Sequence, residues 1–401
     1  MPSPPAPLAN PWRGVFSALC AVLVGIGLAR FSYTPLIPAL ISQGWFAPGQ
    51  AAYLGAANLA GYLAGALLGR WLASRVPPSL ILPGMMALAA LSFAACAAPW
   101  PFFWFFAWRV VSGLAGGVLM TLAAPAVLPQ VASTRRGLAA GLIFTGVGLG
   151  IAASGTLIPL LLQGGLGTAW LSLGALCLAL TLAAWGGWPD APLPPRPAGE
   201  TPPPPATGFA LKALYVEYGL NAVGLVPHMV FLVDFIARGL DRGLAVGAGY
   251  WVLFGLGALA GPVASGMAAD RIGVARTLRL AYLIQIPAAA LPALTSAPLA
   301  LGLSSVIIGA LVPGVVSLVL GRVQGLLPND PAGQQKAWSI ATVAFAVGQA
   351  LAAYGLSYLF DRSGNYALLF FLGSAAIFAA LGLDLVAGWL SNARGNQARP
   401  P

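Results

Sequence analysis

Charged side chains are scarce in this sequence: Asp, Glu, Lys and Arg make up 7% of 401 residues, against 59% hydrophobic ones, and mean hydropathy is +0.86. A water-soluble globule of this length needs far more polar surface, so that class is excluded and a polytopic membrane protein remains. Histidine occurs once and cysteine three times. Cys20, Cys96 and Cys177 fall inside apolar runs and read as small buried hydrophobes, so neither a disulfide framework nor a metal site is expected. No G-x-x-x-x-G-K-[ST] loop occurs, which argues against ATP as a driving force, and no cofactor is expected. The opening MPSPPAPLANP lacks a basic side chain, and the apolar run after it is too long for a signal-peptide core; the first span is expected to stay.

What the chain does have is apolar length. Stretches able to cross a hydrocarbon core of about 30 Å number about twelve. They lie near 14–41, 50–72, 79–98, 102–128, 137–163, 169–188, 209–236, 246–267, 278–295, 299–321, 336–360 and 366–390. With both termini placed in the cytoplasm, fourteen of the 19 basic residues fall on the cytoplasmic side and only Arg238, Arg242 and Arg362 outside; Arg30 and Arg109 remain in the membrane. The positive-inside rule thus fixes the orientation. It also explains the net charge of +10 by orientation and lipid headgroups, with no nucleic-acid partner.

Between the sixth and seventh spans, PDAPLPPRPAGETPPPPATG carries nine prolines from Pro189 to Pro205, a composition that forms extended coil and cannot build a core. The expected organisation is therefore a six-helix bundle over 1–188, a cytoplasmic linker over 189–208 and a second six-helix bundle over 209–401. A shift of 196 positions places Gly61, Gly65 and Arg75 on Gly257, Gly261 and Arg271. Such a repeat is typical of transporters, with a substrate site between the halves. The fold class expected is an all-α membrane protein, twelve transmembrane helices in two pseudo-symmetric bundles.

After the eighth span stands Gly266-Met-Ala-Ala-Asp270-Arg271-Ile-Gly273-Val-Ala-Arg276, which resembles the G-x-x-x-D-R-x-G-x-x-x-R loop of the major facilitator superfamily. The first-half counterpart keeps Arg75 but has Ser74 where that motif has aspartate. Arg109-Val-Val-Ser-Gly113 is similar to the superfamily's R-x-x-x-G pattern in the fourth span. TGVGLGIAASGTLIP resembles a degraded form of its glycine- and proline-rich antiporter motif, and GLARFSYTPLIP resembles the first span of the uncharacterised YbfB/YjiJ-type branch. The resemblance implies alternating access, a location in the bacterial cytoplasmic (inner) membrane, no enzymatic activity, and a gating role for Arg75, Gly266, Asp270, Arg271 and Gly273.

Arg30 sits deep in the first apolar run, where a guanidinium at mid-bilayer costs about 2.5–3.5 kcal/mol on insertion scales. Tyr33 follows one turn later on nearly the same face, and Pro35 and Pro38 free carbonyls beyond it. Two unpaired arginines, Arg30 and Arg109, facing one cavity would attract a carboxylate or phosphate. The alternative for Arg109 is a structural role, bonding neighbouring helix carbonyls or serving a proton relay. Asn58 and Tyr62 flank the glycine ridge of the second span, where both cavity lining and an interhelical bond are open.

In the seventh span Glu217, Asn221, Gly224 and His228 fall within an arc of about 60°. An intramembrane carboxylate is a candidate for proton exchange, so Glu217, with His228 as second choice, is read as proton-coupling; both also admit a purely structural role. Asn221 joins the substrate-binding candidates. So does Gln349, which shares a face of the eleventh span with Trp338, Thr342 and Phe345. Asp234 is expected to pair with Arg238 at the outer interface, and Asp384 to make a local pair or sit at the lipid edge. The function expected is a monomeric, proton-coupled secondary transporter of a small organic anion or anionic amphiphile, its partners being that small-molecule substrate, protons and membrane lipids. A proton-coupled efflux antiporter for drugs or metabolites is the alternative. An acyl-transfer reading of His228 with Asp234 is rejected, because the spacing is wrong and both lie on one span.

Overall fold

The computed structural model describes residues 11–132, 135–190, 205–328 and 330–397. Most of the segment expected as a linker, with Arg196, lies outside them, as does Arg399. Among the described residues twelve helices are long and apolar enough to cross a bilayer, and there is no strand. The spans are Pro11–Ser42, Pro48–Ala73, Pro78–Ala95, Phe102–Gln130, Gly141–Gly164, Leu166–Ala184, Gly208–Gly239, Gly243–Ile272, Val274–Leu294, Pro298–Leu326, Lys336–Ser363 and Tyr366–Leu390. Pro11 and Leu390 share one side of the molecule, here the near face; the opposite side is the far face.

Several helices outrun their apolar cores. The eighth reaches Ile272 and the ninth starts at Val274, four residues before its expected start, because Gly273 alone makes the break. Its φ of 86° lies in the left-handed region that a side chain disfavours. The eleventh helix begins before its apolar stretch, at Pro331, where the Asp330 side chain accepts from the Gly333 amide at 2.8 Å and caps the first turn.

The 196-residue repeat is written into backbone packing. Gly61 and Gly65 of the second span lie against the Val110 and Leu114 backbone of the fourth; Gly257 and Gly261 of the eighth lie against Val306 and Ala310 of the tenth, each partner 196 positions on. Gly113 abuts the Asn58 carbonyl and Gly309 that of Phe254, at the same shift. Small residues let helix backbones approach within van der Waals contact, which is how helices associate where water exclusion is no driving force.

The first span is not one regular helix. It is π-helical over Leu23–Leu28, turns through 29–32, and resumes as α-helix at Tyr33. A Cβ on Gly27 would lie 2.8 Å from Gly150 Cα, so the widened turn passes tightly against the fifth span. The seventh span widens at Pro227–Phe231 and again at Phe235–Gly239. Proline lacks the amide that the regular ladder needs, and wider turns re-satisfy the freed groups.

The halves meet on the far side. Spans 5 and 8 run closely together, with Trp251 Nε1 donating to Ser154 Oγ at 3.1 Å, and Gly255 against the Ala152 backbone. Spans 2 and 11 converge at Tyr53 and Tyr354, whose rings are 6.4 Å apart, and at Gly49, which abuts Asp361. Thr34 Oγ1 donates to the Met229 carbonyl at 2.5 Å, joining the two broken helices.

Candidate functional site

A cavity lies between the halves under that junction. Its wall is formed by Ile26, Arg30 and Phe31 from span 1, Tyr62 from span 2, Met120, Phe144 and Val147 from spans 4 and 5, Tyr218 and Met229 from span 7, Val312, Pro313 and Val316 from span 10, and Trp338, Thr342, Phe345 and Gln349 from span 11. Water-accessible space amounts to about 40 Å³, room for a few water molecules. Met120, Phe144, Tyr218, Val316 and Trp338 belong to the near-face halves of their helices, while Arg30 and Gln349 stand at the deep end.

Arg30 is 9% exposed and meets only soft partners. One nitrogen approaches Met229 Sδ at 3.9 Å, and the guanidinium lies 5.2 Å from the ring centres of Phe31 and of Tyr62. Its Nε has no partner, and among the described residues no carboxylate bonds to it. Gln349 Nε2 also points at Met229 Sδ, at 3.5 Å, leaving Oε1 unpartnered. The cavity thus presents one cation in a wall that is otherwise uncharged and mostly apolar and aromatic, with Thr342 and Gln349 as its neutral polar members.

Arg109 is held differently. Nη1 donates to the Ala29 carbonyl at 2.9 Å and Nε to that of Leu54 at 3.4 Å, while the ring of Tyr33 lies 4.2 Å away. Ala29 is inside the turn of span 1, so Arg109 satisfies a carbonyl released there. Asn58 Nδ2 donates to the Arg109 carbonyl at 3.3 Å, and Tyr33 OH to that of Ala51 at 2.8 Å. Arg109, Tyr33 and Asn58 line a second, smaller chamber of about 20 Å³ on the far side of Arg30, which borders both spaces.

A family model described as "Uncharacterised MFS-type transporter YbfB" matches residues 22–385. The chain belongs to this family of the major facilitator superfamily. No curated protein matches it.

Of the candidates expected from sequence in this transporter, Arg30, Tyr62 and Gln349 are brought together at the central cavity. Asn221, Glu217 and His228 are not: the polar stripe of span 7 is real but faces the interior of the second bundle. Asn221 Nδ2 donates to Gln285 Oε1 at 2.7 Å, and Tyr282 OH to Glu217 Oε1 at 3.0 Å. His228 Nε2 bonds Ser304 Oγ at 2.8 Å, and that hydroxyl donates to the Ala288 carbonyl at 2.7 Å. Gly224 lies against Gly373 and Ile377 of span 12. The sequence missed Tyr218 and Met229 at the cavity and Tyr282, Gln285 and Ser304 in the bundle. Tyr218 and Met229 each directly follow a residue of the stripe, about 100° further around the helix.

The acidic pairs are settled. Asp234 binds Arg238 at 2.5 Å and accepts from Tyr366 OH at 2.6 Å. Asp384 pairs with Arg279, which comes from span 9 and is no local partner. His228 and Asp234, the acyl-transfer pair, therefore bond to different residues. In the motif loop, Asp270 and Arg271 are exposed, and among the described residues neither is held by an ion pair. Arg75 stacks over Trp71 at 4.2 Å, and Ser74 Oγ donates to the Trp71 carbonyl.

Proposed function

We propose that this transporter carries a monoanionic amphiphile, a carboxylate head on an apolar body, across the cytoplasmic membrane by alternating access coupled to protons. The observation that carries the reading is Arg30: a guanidinium with no carboxylate partner at the deep end of a cavity whose wall is otherwise uncharged and mostly apolar and aromatic. A carboxylate there completes the fork that Met229 sulfur fills weakly, with Tyr62, Gln349 and Thr342 as neutral hydrogen-bonding neighbours. The apolar wall takes the body of the ligand. A cationic drug meets the opposite sign, and the lining offers it no carboxylate.

The near face is cytoplasmic on the positive-inside rule, so a sealed far side and an unlatched Asp270 loop describe the inward-facing side of the cycle. Arg75, Gly266, Asp270, Arg271 and Gly273 form the near-side latch when the molecule opens outward. The test is equilibrium binding of octanoate and benzoate to the purified protein, with tetraphenylphosphonium as the cationic control. Carboxylates bind and Arg30→Gln weakens them at least about tenfold, or 1.4 kcal/mol. Binding of the cation alone, with Arg30→Gln indifferent, sinks the anion reading in favour of drug efflux.

A further inference from the structure

Glu217, Asn221 and His228 occupy one face of span 7 over about 16 Å of helix, a third or more of a bilayer, yet none of them reaches the central cavity. Each meets a polar partner inside the second bundle: Tyr282, Gln285 and Ser304. All six side chains are buried. The column is incompletely satisfied in an instructive way. The Asn221–Gln285 bond leaves Asn221 Oδ1 and Gln285 Nε2 without partners, one acceptor and one donor. Turning both amides over leaves one of each again, so the pair suits a water molecule, which offers both, and not a metal cation, which the amide NH₂ repels.

His228 closes the column with a defined tautomer. Ser304 gives its hydroxyl proton to Ala288, so it accepts from His228 Nε2–H, and Nδ1 carries a bare lone pair that has no partner. His228 belongs to the π-helical turn Pro227–Phe231, whose next residue, Met229, faces the cavity and touches both Arg30 and Gln349. One turn of helix therefore shows its histidine to the bundle interior and its methionine to the anion site.

We propose that protons travel through the interior of the second bundle, from Glu217 past the Asn221–Gln285 pair to His228 Nδ1, and that the Pro227–Phe231 turn reports their arrival to Arg30 through Met229. The transfer balances without redox change. The O–H of the Glu217 acid breaks, a bound water takes that proton and gives up another, and an N–H forms at Nδ1; Glu217 is then reprotonated from the near face. Charged neighbours of Glu217 are Asp384, Arg279 and Arg322, so the entrance is framed by both signs. His228 has Phe370 edge-on at 5.0 Å and no charged bonding partner among the described residues, which leaves Arg30 as the cation it is coupled to through Met229. An imidazolium at 228 and a bare guanidinium at 30 disfavour each other; an anion on Arg30 relieves that, which makes anion and proton binding mutually favourable. This deepens the anion reading and rests on it for its coupling, but the route is tested without any anion.

The chain has a single histidine, so ¹⁵N-histidine labelling of the full-length protein in lipid nanodiscs reads His228 alone. At high pH the spectrum is expected to show Nε2–H with Nδ1 unprotonated, and Nδ1 to gain a proton as the pH is lowered. Arg30→Gln is expected to raise the protonated-to-neutral ratio at fixed pH about tenfold. The paired change Asn221→Leu with Gln285→Leu, or Gln285→Met alone if the pair does not fold, is expected to slow proton exchange at Nδ1 at least about tenfold. An unshifted titration in Arg30→Gln overturns the link through Met229. Unchanged exchange after removal of the amides overturns the route. A His228 neutral throughout in both proteins overturns the whole proposal. Failure of the unaltered protein to bind octanoate, with none of these outcomes, would instead strike the anion reading alone.

Discussion

Two arginines of similar depth have opposite energetics. Arg109 is 2% exposed, but its donors end on the Ala29 and Leu54 carbonyls and its face on Tyr33, so it replaces backbone partners that the turn in span 1 removed. A lysine has no planar fork to span both carbonyls. Arg109→Lys is therefore expected to cost about 2 kcal/mol, read as a lowered unfolding temperature in detergent. Arg30→Gln removes a buried charge that no carboxylate among the described residues neutralises, so the unfolding temperature is expected to hold or rise while octanoate binding is lost. The reverse pattern would exchange the two roles. Asp384→Asn strands Arg279, whose side chain is 32% exposed; because water already screens part of that charge, the expected loss is about 1–2 kcal/mol and not the larger figure for a fully buried pair.

At the scale of the helix, glycines serve two kinds of seam. Gly257 packs within its own half, against the Val306 backbone, whereas Gly255, two residues earlier, packs across the halves against Ala152. Valine at 257 forces two permanently adjacent helices apart and is expected to cost about 1–3 kcal/mol of stability without opening the molecule. Valine at 255 instead penalises only the state in which the far side is sealed, so it is expected to shift the population towards far-side opening. Cysteine at Ser154, which is buried beside Trp251, reports the difference, since Cys20, Cys96 and Cys177 are all buried. Maleimide labelling from the far side should accelerate about tenfold with Gly255→Val and stay at background with Gly257→Val. Equal labelling in both would mean that the seam between spans 5 and 8 does not control closure.

At the scale of the molecule, the repeat was readable because close backbone approach demands glycine: Gly61, Gly65, Gly257 and Gly261 recur at the spacing that their partners on spans 4 and 10 also keep. Arg30 was readable because one charge in an apolar run has to face something other than lipid. The side faced by Glu217, Asn221 and His228 was not. Within a membrane, a polar stripe says only that a face avoids lipid, and both the central cavity and the interior of a bundle satisfy that; Tyr218 and Met229, with apolar bodies, carry no periodic signal at all. The proposed alternating access adds a last requirement, that the far side must part for turnover but not for binding from the near face. Tyr53 and Tyr354 bracket the far-side junction of spans 2 and 11 at 6.4 Å between rings. Joining Tyr53→Cys to Tyr354→Cys with a short bifunctional thiosulfonate is expected to abolish octanoate transport in proteoliposomes, leave octanoate affinity within about threefold, and be reversed by reduction. Full-rate transport by the cross-linked protein would show that the halves do not rock about this junction, and the central cavity would then have to exchange its ligand by another path.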